Sequence, residues 1–168
     1  MAANRGSVAQ RRWASPLSVI IGGQAVLYSV IGASNLADLL GEAFGWSDAA
    51  WRSGNVSFVE YAIGKGHIGF GSPGVWALIT VILATALELL AAFRFAGAWR
   101  AIATGTDPGR PVRSAVSIAV LNWMVLAVGT ELFIIYEAAS WEKFVLLTVL
   151  AVLTWLAVEF VGDDRTAR

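Results

Sequence analysis

Glu88 is the side chain in this sequence whose position most needs a chemical reason. It stands in VWALITVILATALELLAAF, residues 75–93, where every other residue is apolar or carries only a hydroxyl. Nineteen helical residues span ~28 Å at 1.5 Å each, about the hydrocarbon thickness of a bilayer. A carboxyl at that depth costs ~2.5–3.5 kcal/mol on insertion scales, so it faces protein or a wet cavity rather than lipid. As a neutral acid it can lock helices together by sharing its proton with an amide. As a titrating acid it can relay protons or anchor a ligand. The sequence places no second carboxylate at the same level and no buried base beside it, so the structural role leads.

Three polar side chains from other apolar segments are candidates to meet Glu88. When segment midpoints near residues 28, 85, 125 and 152 are put in register, Gln24 and Asn122 fall in the Glu88 layer and Thr154 close to it. A second polar group gathers nearer the outer surface: Asn35, Asp38, Asn55 and Glu131. A third set is sterically special rather than polar. Ala25, Ser29, Ala33 and Ala37 repeat every four residues, a small-residue stripe that lets another helix approach closely. Beside it runs a polar stripe, Gln24, Tyr28, Gly32 and Asn35.

Other chemistry is poorly provided for. The chain has no cysteine and a single histidine, His67, which excludes disulfides, thiolate metal sites and bis-histidine haem. His67 with Glu60, Asp48 or Glu42 lacks the usual metal-ligand spacing, so no metal and no cofactor is expected. No nucleophile–base pair, P-loop or dinucleotide fingerprint is present, so catalytic residues are not assigned.

The elements that must position these groups follow from composition. Of 168 residues, 57% are hydrophobic and 14% charged, against ~25% charged in a soluble domain, and the mean hydropathy is +0.66. The reading is an all-α, polytopic integral membrane protein, a four-transmembrane-helix bundle with spans at about 17–40, 75–97, 114–136 and 144–161. Residues 16–161 then form a single membrane domain between polar tails at 1–15 and 162–168. Arg11-Arg12 has the form of a twin-arginine leader, but the apolar run after Pro16 is too long for a cleaved signal, so it is read as an uncleaved span. Residues 41–74 form a structured outer loop with two short helices. Ser47-Asp48 would cap one of them, and Asn55 or Ser57 the other, since Ser57-Phe-Val-Glu60 reads as a capping box. Phe58, Val59, Ala62 and Ile63 would lay that second helix on the membrane or the bundle. Residues 100–113 are expected to be a polar turn.

Charge sets the orientation. With both termini in the cytoplasm, nine arginines lie inside, and only Arg52, Lys65 and Lys143 lie outside, which satisfies the positive-inside rule for a cell (inner) membrane protein. Trp13 and Trp99 then mark the inner interface, and Trp46, Trp51, Trp76 and Trp141 the outer. Twelve basic and twelve acidic residues cancel, so no nucleic-acid partner is expected.

Asn35-Leu-Ala-Asp38, Asn55-Val-Ser-Phe58-Val59, the mid-span Ala-Leu-Glu88-Leu, and Gly129-Thr-Glu131 followed by Trp141 carry a resemblance. On these motifs the chain, over about residues 20–160, resembles a bacterial family of small integral membrane proteins known only as a domain of unknown function, DUF2165. The resemblance implies the four-helix topology and draws attention to Glu88 and Glu131. It implies no activity. The chain departs from that pattern in a longer first loop, and in Gly64-Lys65-Gly66 where the family has Met-Asp-Thr.

The expected function is non-enzymatic: an accessory or assembly subunit of a larger membrane complex, with the lipid bilayer, other membrane proteins or further copies of itself as partners. The alternative is a small oligomeric transporter or a binder of a lipid-soluble ligand that uses Glu88.

Overall fold

The structure, a computed structural model, describes residues 15–45, 51–65, 71–133, 148 and 150–155, without the side chains of 127–133. Every element among the described residues is a helix: α1 (Pro16–Phe44), α2 (Asn55–Lys65), α3 (Pro73–Thr104) and α4 (Gly109–Phe133). Residues 150–155 are helical as well. The polar tails, Ser47-Asp48 with its expected short helix, and His67 lie outside the described residues.

Each helix end has a local cause. Ser15, in an extended conformation, accepts a hydrogen bond from the Ser18 N–H, and Pro16 occupies the first helical position, where its missing N–H is not needed. Gly45 closes α1 in the left-handed region at φ 68°, its N–H donating to Gly41 O. Gly105 does the same for α3 at φ 74°. There the Gly105 N–H donates to Ile102 O and the Thr106 N–H to Ala101 O. Asp107 Oδ1 then accepts from the Gly109 N–H at 2.9 Å, and α4 begins, with Pro111 tolerated in its first turn.

The expected polar turn at 100–113 is therefore far shorter. The helix-favouring Ala-Trp-Arg-Ala-Ile-Ala-Thr run carries α3 to Thr104, so Arg100 sits on its last turns and Arg110 and Arg113 on the first turns of α4. At 32 residues α3 is ~48 Å long, well beyond the bilayer core.

α1 and α3 pack antiparallel, and α4 returns alongside α3. The contact ladder between α1 and α3 is explicit. Trp99 Nε1 donates to Ser18 Oγ at 3.1 Å, and Tyr28 stacks on Phe95 with ring centroids 5.7 Å apart. Gly32 faces Leu89 so closely that a Cβ there would lie 2.7 Å from Leu89 Cδ2 and 3.4 Å from its backbone nitrogen. Trp123 Nε1 ties α4 to α1 through Tyr28 Oη at 2.7 Å. Around these contacts lies a core rich in alanine, with Ala91, Ala92, Ala98, Ala115 and Ala119 surrounding Ile21 and Phe95. Small side chains bring the helix axes close, and the association then rests on dispersion over a close-fitting seam.

What faces outward is as informative. α1 and α3 are long and apolar enough to cross a membrane, and only 33% and 39% of their most apolar windows are buried. The helix of a soluble core buries most of such a window. Here Val26 and Val30 on α1, and Ile82, Leu83 and Phe93 on α3, are half exposed or more. Exposed apolar side chains in these numbers match a lipid environment.

Candidate functional site

Some of the described polar groups of the interior are joined in one connected chain, and others stand apart from it. The chain begins at Glu88, 3% exposed on α3. Asn35 Nδ2 donates to Glu88 Oε2 at 2.7 Å, and Asn35 Oδ1 accepts from Asn55 Nδ2 at 2.6 Å. One amide orientation of Asn35 satisfies both neighbours. The two bonds join α3, α1 and the start of α2.

One turn nearer the C-terminal end of α1, Asp38 is fully buried and doubly used. Its Oδ2 accepts from the Val56 N–H at 2.8 Å, and its Oδ1 from Arg52 Nε at 3.1 Å. Arg52 also donates through Nη2 to Glu42. Asp38 and then Glu42 hold the Arg52 guanidinium above its already high ordinary value, so it stays a cation at any working pH. Room for Arg52 is made by Gly41, where a Cβ would lie 2.8 Å from Arg52 Nε. Asp38 thereby acts as the N-terminal cap of α2, supplied by a different helix, with its negative charge at the positive end of the helix dipole.

This differs from the expected capping box. α2 already starts at Asn55, which places Ser57 and Glu60 inside the helix. Val56, Ala62 and Ile63 are buried against the bundle, while Phe58 is exposed on another face.

Gln24, Asn122 and Thr154 do not bond Glu88. Thr154 Oγ1 donates to its own helix at Leu150 O, 2.7 Å away. Gln24 and Thr154 line a cavity of about 10 Å³, shared with Tyr28, Phe95, Val116 and Leu150, a space for one water at most. Asn122, fully buried on α4, makes no hydrogen bond among the described residues. Glu131 lies on α4, and its side chain is outside the described residues.

The small-residue stripe splits. Ala25 is buried in the bundle and Ala37 half-buried, whereas Ser29 and Ala33 point outward, Ser29 bonding back to Ala25 O at 2.7 Å. The neighbouring polar stripe forms the seam: Gln24, Tyr28, Gly32 and Asn35 are all buried. Arg52 and Gly41 are the participants that sequence reasoning passed over. Their signal was present, since Gly41 follows Asp38 by three residues and precedes Glu42, so all three share the C-terminal end of one helix.

Chemically, the arrangement holds elements together. It presents no nucleophile and no group of three or more potential metal ligands among the described residues. The chain matches no family model, no curated protein and no solved structure.

Proposed function

We propose that this chain is a multi-pass membrane protein of four spans with both termini in the cytoplasm, acting without catalysis as an accessory or assembly subunit of a larger membrane complex. The observation that supports this most is where the polar groups go. Glu88, Asn35, Asn55, Asp38 and Arg52 are engaged with one another, while Ser29 and Ala33 on α1 are turned outward. A polar interior used for internal bonds, with a small-residue face left open, suits a protein that docks against others in the bilayer. Kinship with the DUF2165 family is part of the same proposal.

The transporter or ligand-binder reading needs an opening beside Glu88. The cavity at Gln24 and Thr154, about 10 Å³, is far below the ~300–1,000 Å³ of small-molecule sites.

The test is purification of the tagged chain from its own host in mild detergent, followed by mass spectrometry. A stoichiometric membrane partner is expected, and Ser29→Leu or Ala33→Leu should release it. Recovery of a homo-oligomer alone, unchanged by either substitution, overturns the subunit reading.

A further inference from the structure

We propose that α2 is a re-entrant helix. Its first turn enters the outer half of the bilayer, where lipid acyl chains cover Phe58, and Tyr61 and Lys65 then rise to the headgroups. The inference rests on the reading of α1 and α3 as membrane spans.

The depth of α2 is set by hydrogen bonds. α1 continues to Phe44, yet Asn55 bonds Asn35 and the Val56 N–H bonds Asp38. Asn35 lies nine residues short of Phe44, ~13 Å along the helix axis. Arg52 already stands beside Asp38 and Gly41, and Asn55 lies deeper still beside Asn35, so the chain enters α2 below the outer end of α1. α2 then climbs: Glu60 stands beside the first turn of α3, where a Cβ on Gly74 would lie 3.1 Å from Glu60 Oε1.

Side chains along the helix follow that climb. Val56, Ala62 and Ile63 face the bundle. On the outer face Phe58, Tyr61 and Lys65 succeed one another at three- and four-residue steps, which aligns them along one edge. Phe58 is 40% and Tyr61 60% exposed, and Lys65 Nζ lies 5.6 Å from the Tyr61 ring centroid. Apolar ring, amphipathic ring and cation occur in the order in which a bilayer changes from acyl chain to headgroup. The flanking spans agree, since Leu40 and Phe44 on α1 and Val75 on α3 are exposed and apolar. Non-helical backbone at membrane depth requires protein partners, and α2 has them. The Val56 N–H is taken by Asp38, the Asn55 N–H by Ser53 Oγ, and the Phe58 N–H by Gly54 O.

Because the chain lacks cysteine, single cysteines report one position each. The full chain in phosphatidylcholine–phosphatidylglycerol vesicles would carry Phe58→Cys, Tyr61→Cys or Lys65→Cys, with Val30→Cys on the exposed middle of α1 as reference. Labelling by a charged, impermeant maleimide present on both sides should be fastest for K65C and slower for Y61C. For F58C it should be about tenfold slower than for K65C, and V30C should be silent. An environment-sensitive dye on the F58C variant should be quenched by nitroxides on lipid acyl chains. Equal labelling of F58C and K65C with V30C silent overturns re-entrance and leaves the spans standing. Rapid labelling of V30C overturns the spans as well. Slow labelling of F58C without lipid quenching means protein covers that edge, which overturns the lipid assignment.

Discussion

Replacing Asn35 by alanine should break the polar chain at its middle link. Two bonds are lost, at 2.7 Å to Glu88 and 2.6 Å from Asn55. A buried polar group left without its partner costs ~1–3 kcal/mol in water-soluble interiors. Within bilayers measured interhelical couplings average ~0.6 and reach ~1.7 kcal/mol, because the separated helices find other partners. On the proposed membrane reading Glu88 belongs to the second regime. Asn55, half-buried at the start of α2, can recover a water. Alanine also favours the helix by ~0.5 kcal/mol over asparagine. The net loss expected for Asn35→Ala is therefore about 1 kcal/mol.

A double-mutant cycle with Glu88→Ala removes the propensity contribution. The coupling between the two positions should be ~0.6–1.7 kcal/mol, read from reversible unfolding in mixed micelles of rising SDS fraction and followed by tryptophan emission. Glu88→Gln keeps an oxygen acceptor and should retain most of that coupling. Additivity of N35A and E88A to within about 0.3 kcal/mol would show that the 35–88 contact holds nothing together.

Three further outcomes follow from the same geometry. Asp38→Ala should release the start of α2, seen as faster hydrogen exchange over residues 55–60 and a loss of ~0.5–2 kcal/mol. Asp38→Asn keeps the acceptor for the Val56 N–H and should fall between wild type and D38A. Gly32→Leu forces a side chain against Leu89 and should destabilise by ~1–3 kcal/mol, with part of the melting temperature restored by Leu89→Ala. Tyr28→Phe removes the acceptor of the Trp123 indole and should cost ~0.5–1.5 kcal/mol, accompanied by a shifted tryptophan emission maximum.

α1 and α3 were legible from their long apolar runs, because a hydrocarbon-length segment declares itself by composition. Pro16 and the glycines at 45 and 105 mark ends that backbone geometry explains. Depth was not legible. Aligning segment midpoints put Glu88 beside Gln24, and the structure puts it beside Asn35, about three turns further along α1. Part of the error came from ends. α3 runs on to Thr104 through residues that read as a turn because they carry arginine and threonine, and a few misassigned residues at each end slide one helix past another by turns. The borrowed cap was hidden for a different reason. A capping box is a local pattern, whereas Asp38 reaches Val56 across a separation of 18 residues. No spacing rule within α2 could have shown it.

The sequence separations along the polar chain also set an order of events during synthesis. Arg52 follows Asp38 by 14 residues, Asn55 follows Asn35 by 20, and Glu88 follows Asn35 by 53. The contacts of Asp38 and the first contact of Asn35 can therefore close while α3 is still in the ribosome. α3 then brings its carboxyl to an amide that the earlier segments already hold in place. On the proposed membrane reading, a helix carrying an acid into the bilayer then meets a receiver on arrival, and its acid is costly to insert but its partner is made first.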